Sequence, residues 1–173
     1  MPNPAALLPG SFNPLHAGHL SLAAAAGRIL GATVEYELSI VNVDKPELDE
    51  REVARRRQQF EGIAPLWVTR APTFAEKALH FPGTVFVIGY DTAVRLIDHR
   101  YYGHDSDRLM ASLQSIHRQA CRFVVGGRID SHKVFREWTS EGVPTEFHSL
   151  FTPLVEADFR VDLSSTELRR NAS

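Results

Sequence analysis

Residues 6–19 read Ala6-Leu7-Leu8-Pro9-Gly10-Ser11-Phe12-Asn13-Pro14-Leu15-His16-Ala17-Gly18-His19. Residues 5–8 form a short apolar run that Pro9-Gly10 ends, which reads as a buried strand. Asn13-Pro14 is a turn signal. Residues 18–30 are rich in Ala and Leu and close on Gly31, so a helix with a glycine stop follows. A buried strand that feeds a helix through a glycine-containing turn is the first half of a βαβ unit.

The alternation continues outward from there. Residues 33–43 (TVEYELSIVNV) are β-branched and aromatic and predict a second strand. Residues 66–69, 84–88 and 122–125 predict further short strands, and 146–151 a last one. Helices are expected over 49–63, from Pro72-Thr73 to His80, over 107–118, and from Ser164 to Arg170. Short continuous apolar strands separated by helices imply an α/β fold: a Rossmann-like, doubly wound parallel sheet with helices on both faces, in one domain spanning residues 1–173.

Composition agrees with that class. Of 173 residues, 43% are apolar and 23% charged, which argues against extended disorder, coiled coil and collagen. The single cysteine, Cys121, rules out an internal disulfide framework and a Cys-based zinc cluster, and fits a reducing compartment. A formal charge of −2 gives no electrostatic case for nucleic acid or an anionic membrane as partner. No targeting or spanning segment stands out, so a cytoplasmic location is expected.

In open parallel sheets ligands sit outside the carboxyl ends of the strands. The residues that follow each strand therefore carry the functional reading. His16 and His19 are three apart at the expected start of a helix, which puts both rings on one face of its first turn. Unpaired N–H groups and the positive end of the helix dipole favour an anion there, so the pair reads as a phosphate pocket with two imidazole donors. Ser164 to Glu167 is a capping-box pattern that reads either as an ordinary capped surface helix or as a phosphate site, in which the hydroxyls of Ser164, Ser165 and Thr166, with Arg169 one turn on, suit phosphate oxygens. Gly89 would let a ligand approach the backbone. Asp91 reads equally as a ribose acceptor and as an N-cap. Lys45 reads as a phosphate contact or as an exposed loop lysine, and Arg128 is a weaker candidate. Arg51, Arg55, Arg56 and Arg57 read as a solvated face. Trp67, Tyr101 and Tyr102 read as packing residues, and the remaining histidines have no metal-ligand spacing.

These stretches carry a resemblance. GSFNPLHAGH, residues 10–19, resembles the first signature of the nucleotidylyltransferase (cytidylyltransferase-like) superfamily. Its Phe-Asn-Pro form looks most like the nicotinamide/nicotinate mononucleotide adenylyltransferase branch. SSTELR, residues 164–169, resembles the second signature, and Gly89-Tyr90-Asp91 the family's Gly-x-Asp segment. The resemblance implies transfer of AMP from ATP to a phosphate monoester, nicotinamide or nicotinate mononucleotide, with release of pyrophosphate. Mg²⁺ would be carried with the nucleoside triphosphate, without a dedicated metal site. It implies His16, His19 and Arg169 as catalytic residues. It implies Gly10, Ser11, Phe12, Lys45, Gly89, Asp91, Ser164, Ser165 and Thr166 as nucleotide-binding. CTP as donor, another phosphate ester as acceptor, a nucleotide-binding role without turnover, and a homo-oligomer stay open. The branch usually places a tryptophan soon after Gly-x-Asp. Residues 96–102 contain none, and Tyr101 or Tyr102 stands nearest. Members also continue the last helix, which leaves open whether the chain is truncated or whether a partner or a missing segment completes that helix.

Overall fold

The first strand, β1 (Ala6–Pro9), lies at the middle of a parallel sheet, and the chain leaves it in both directions. The structure is a computed structural model that describes residues 2–159. The expected final helix, with Ser164, Ser165, Thr166 and Arg169, lies outside the described residues. Among the described residues, β1, β2 (Val34–Ser39), β3 (Leu66–Thr69), β4 (Val85–Gly89), β5 (Arg122–Gly126) and β8 (Phe151–Pro153) form one sheet. Its order is β3-β2-β1-β4-β5-β8, and every neighbouring pair is parallel. The order reverses between β1 and β4, which opens a crevice at their carboxyl ends. A two-stranded antiparallel hairpin, β6 (Arg128–Ile129) with β7 (Phe135–Arg136), follows β5.

Side chains alternate across the sheet, and both faces are apolar. Leu7, Phe86, Ile88, Phe123 and Val125 point to one face, with Ala78 of α3 (Phe74–His80) and Leu109, Leu113 and Ile116 of α5 (Ser106–Arg118). Ala6, Leu8, Val85, Val87 and Val124 point to the other, under α1 (Ala17–Leu30). Helix α1 presents Leu22, Ala23, Ala25 and Ala26 to that face and ends at Gly31, whose φ of 62° needs no Cβ. The Rossmann-like, doubly wound α/β architecture expected from the sequence is the one observed. No helix of the described residues is long and apolar enough to cross a membrane.

Three expectations need correction. The second strand stops at Ser39 instead of running to residue 43. Its neighbour β3 ends at Thr69, Ile40 makes the last bond across to the Thr69 carbonyl, and the Ser39 hydroxyl turns to the Val41 carbonyl. Residues 146–151 are not all strand: Thr145–Leu150 is a 3₁₀ helix, and only then does β8 begin. Phe147 and Leu150, three apart, are both buried, a spacing that suits three residues per turn. Helix α2 (Glu50–Gln58) is shorter than 49–63, and its Arg56 is not solvated but buried.

Candidate active site

A cavity of about 890 Å³ opens where β1 and β4 end, a size suited to a nucleotide-scale ligand. Leu8, Pro9 and Gly10 form one wall and Val87, Ile88 and Gly89 another, so the crossover in strand order creates the space. His16, Gly18 and His19 line it from α1, Tyr90, Asp91 and Thr92 from α4 (Tyr90–Leu96), and Arg128, Ile129, Asp130 and Lys133 from the hairpin.

The turn between β1 and α1 explains how the histidines arrive there. Phe12 has φ 48°, a conformation unusual for a bulky residue. It lets the ring drop fully into the core, edge-on to Tyr36, Phe60 and His19. The Asn13–Pro14 peptide is cis. His16 then caps α1 in extended conformation, and its Nδ1 accepts the Gly18 N–H at 3.0 Å. His19 Nδ1 accepts the His16 N–H at 3.1 Å, which completes a capping box made of two imidazoles. The rings stack with centroids 3.8 Å apart.

This arrangement sets the chemistry of both rings. Because Nδ1 accepts in each, a neutral ring carries its proton on Nε2. Burial, then the neighbouring His16 ring, pushes His19 down to about 4, and burial also lowers His16. His19 is therefore neutral near pH 7 and is an Nε2–H donor there. The first-turn N–H groups expected to meet an anion directly are instead partly taken by the rings. Each N–H polarises its imidazole, so the helix terminus acts through Nε2–H. Two such donors on a cavity wall suit an oxyanion such as a phosphate.

The structure brings together Gly10, His16, His19, Gly89 and Asp91 around the cavity. Ser11, Phe12 and Lys45 are not among the residues that line it: Ser11 and Lys45 are exposed, and Phe12 is core. A Cβ on Gly10 would lie 2.9 Å from the Phe12 ring, so its glycine is required by that ring. A Cβ on Gly89 would meet nothing within 4 Å of the protein and would take cavity space. Asp91 is not an N-cap, since the cap position of α4 falls on Gly89. Its carboxylate accepts from Arg128 at 2.9 Å.

The weaker candidate Arg128 lines the cavity, whereas sequence reasoning missed Tyr90 and the rest of the hairpin. The Arg128 guanidinium lies over the Tyr90 ring, 4.9 Å from its centroid, and Trp138 packs edge-on behind Tyr90. Tyr90 is thus an aromatic residue of the cavity lining, which neither Tyr101 nor Tyr102 is. Tyr101 is exposed, and Tyr102 donates to the Leu96 carbonyl, outside the cavity lining. Trp67 packs edge-on to Phe81, as a packing residue should. Cys121 is buried just before β5, far along the strand from the cavity, and burial raises its thiol. Adjacency to Gly89 was the one signal that could have found Tyr90.

No curated protein matches the chain. Residues 7–171 match the cytidylyltransferase-like family. The match runs from the first buried strand through both signature stretches, and the chain belongs to that family, with the nucleotidyltransferase-type function that membership supports.

Proposed function

We propose that the protein transfers AMP from ATP to a phosphate monoester, nicotinamide or nicotinate mononucleotide, and releases pyrophosphate. The observation that carries this reading is the pair of imidazoles that cap α1 through Nδ1 and line the cavity. An oxygen of the acceptor phosphate attacks the α-phosphorus, and the bond to the β-phosphate bridging oxygen breaks. A phosphate monoester loses its second proton at a pKa of about 6, so the nucleophile is already a dianion near neutrality. No general base and no covalent enzyme intermediate are needed. Catalysis is alignment and neutralisation of charge.

His16 and His19 donate from Nε2 to the oxygens of the reacting phosphate. A neutral donor responds to charge that develops in the transition state without first binding the ground state as a strong ion pair. Gly89 and Asp91 line the cavity and would meet the ribose, and the Arg128 guanidinium, which lies over the Tyr90 ring, would offer a face for a planar ring. Ser164, Ser165, Thr166 and Arg169 would hold the β- and γ-phosphates. Magnesium enters as part of the substrate. The cavity carboxylates Asp91 and Asp130 are engaged by Arg128 and Arg136, so phosphate oxygens and water suit the ion better than these side chains do.

The test is Mg²⁺-dependent pyrophosphate release from ATP and from CTP, with each mononucleotide as acceptor and His19→Ala as control. Release from ATP that requires a mononucleotide and vanishes in the variant is the expected result. Release that ignores the acceptor, or persists in His19→Ala, overturns the reading.

A further inference from the structure

Helix α2, whose arginines read as a solvated face in the sequence, and its C-cap Gln59 send three side chains to the turn that carries the histidines: Arg55, which donates to Asn13 Oδ1 at 2.7 Å, Arg56 and Gln59. Resting on the transfer reading above, we propose that Gln59, aided by Arg56, is a positioning residue that sets how His16 and His19 meet the reacting phosphate.

One carboxamide spans the turn. Gln59 Nε2 donates to the Phe12 carbonyl at 2.8 Å, and its Oε1 accepts the Leu15 N–H at 2.8 Å. Leu15 directly precedes the helix cap His16. Arg56 Nη1 donates to the Ser11 carbonyl at 2.9 Å, and Glu52 holds the same guanidinium at Nε. Two successive carbonyls of the turn are thus tied to α2. In a trans peptide the N–H points opposite to the C=O. The N–H groups of Phe12 and Asn13 are therefore turned away from α2, and they donate to no group among the described residues. A second route runs through side chains. Phe60, next to Gln59, packs edge-on to Phe12 at 4.9 Å, and Phe12 packs edge-on to His19 at 5.1 Å.

The chemistry of the bridge is specific to a carboxamide of this length. It must donate to one backbone group and accept from another at once. A glutamate keeps the acceptor for Leu15 but turns an oxygen toward the Phe12 carbonyl. A methionine keeps the length and loses both bonds. Since ring placement within a fraction of an ångström decides phosphate alignment, the bridge acts on the chemical step more than on nucleotide affinity.

The experiment compares wild type with Gln59→Met and Gln59→Glu. In each variant kcat is expected to fall about 10- to 100-fold, while the equilibrium Kd for ATP changes by less than about threefold. A second readout does not need turnover. Nitrogen-15 NMR of the histidine side chains is expected to find His19 in the Nε2–H form in wild type, titrating near 4. In Gln59→Met that tautomer preference weakens and the titration moves up toward 6.5. If wild type turns over with no acceptor, the function reading fails, and the NMR comparison still decides the positioning role. Should Gln59→Met fail to fold, Gln59→Glu carries the test. Unchanged kcat together with an unchanged His19 signal in the folded variant overturns the proposal. A fall in kcat that matches the loss of folded protein overturns it as well.

Discussion

His16 and His19 cap the same helix turn with one nitrogen each: the Gly18 N–H donates to His16 Nδ1 and the His16 N–H to His19 Nδ1. Helix start and chemical group are therefore one structure. An alanine at either position removes a cap and a donor together, and its phenotype mixes the two.

His19→Gln separates them. Glutamine is a natural partner at this capping-box position, so its side chain can accept the His16 N–H while the ring donor is lost. The thermal midpoint is expected to stay within a few degrees of wild type, while kcat falls about 10²–10³-fold, the usual cost of one oxyanion donor. His19→Ala should show the same kinetic loss plus about 1 kcal/mol of stability from the missing cap. Calorimetry and steady-state kinetics on both variants check this. Equal kinetics in His19→Gln and wild type would remove His19 from the mechanism.

The depressed His19 also makes stability pH-dependent. Above pH 6.5 the ring is neutral whether folded or not. As pH falls through 6.5 the unfolded ring binds a proton that the folded ring refuses until about 4. The unfolded state then holds more protons, so stability falls as pH falls across that window. Glu52 and Asp98, both held near 2 by hydrogen bonds from arginines, contribute stability that is lost only below 4.5 and 3.8. The interval between pH 6.5 and 5 is thus free of their titration. Urea midpoints at pH 7 and pH 5 should drop in wild type and drop less in His19→Gln. Identical drops would show that His19 is not the group responsible.

The parts of this molecule that sequence reveals are those with local causes. Apolar runs such as 84–88 and 122–125 became strands because they are buried on both faces, and Gly31 ended α1 because the left-handed position favours glycine. The His16/His19 spacing was readable because a helix start fixes which residues share a face. What escaped depends on partners far away in the chain. Gln59 meets Phe12 at a separation of 47 residues, and Arg128 meets Asp91 at 37. No periodicity marks such pairs. Arg56 was misread for the same reason: among four arginines, only the fold decides which one finds a backbone carbonyl to satisfy it.

Gly10 is set by sterics, and this gives a prediction at the cavity wall. A Cβ there would lie 2.9 Å from two atoms of the Phe12 ring, which is fully buried. The ring cannot yield without moving against His19 and Phe60. Gly10→Ala is expected to cost about 1–3 kcal/mol, the range for overpacking, and to lower kcat through His19. The combined variant Gly10→Ala with Phe12→Leu should recover part of the stability but not the activity, since the edge contact to His19 is gone. Denaturant unfolding and pyrophosphate release measure the two effects. A Gly10→Ala protein with wild-type stability would mean that the turn can open without cost.

On the sheet face opposite α1 lies a buried ion pair that the sequence does not announce. Glu37 sits on β2 and Lys77 on α3, and both are almost fully buried. Alternation along β2 turns Tyr36 and Leu38 to the α1 face, so Glu37 faces α3 and its lysine. Lys77 Nζ donates to both carboxylate oxygens at 2.9 and 2.8 Å and to the Ala71 carbonyl at 2.7 Å, and the Thr69 hydroxyl donates to Oε1. Every hydrogen of the ammonium group is used. Removing one partner strands the other charge in a low-dielectric site, whereas removing both does not. Lys77→Met should therefore destabilise by about 3–5 kcal/mol, and Glu37→Leu combined with Lys77→Met by much less. The Glu37 carbonyl also accepts the Gly10 N–H at 3.0 Å, so a loosened β2 should reach the cavity wall. Lys77→Met is then expected to weaken ATP binding at temperatures well below its melting point, and the double variant to restore it. Urea unfolding and equilibrium ATP binding on the two proteins decide it. A double variant as unstable as Lys77→Met would show that packing at this site, and not the stranded charge, sets the cost.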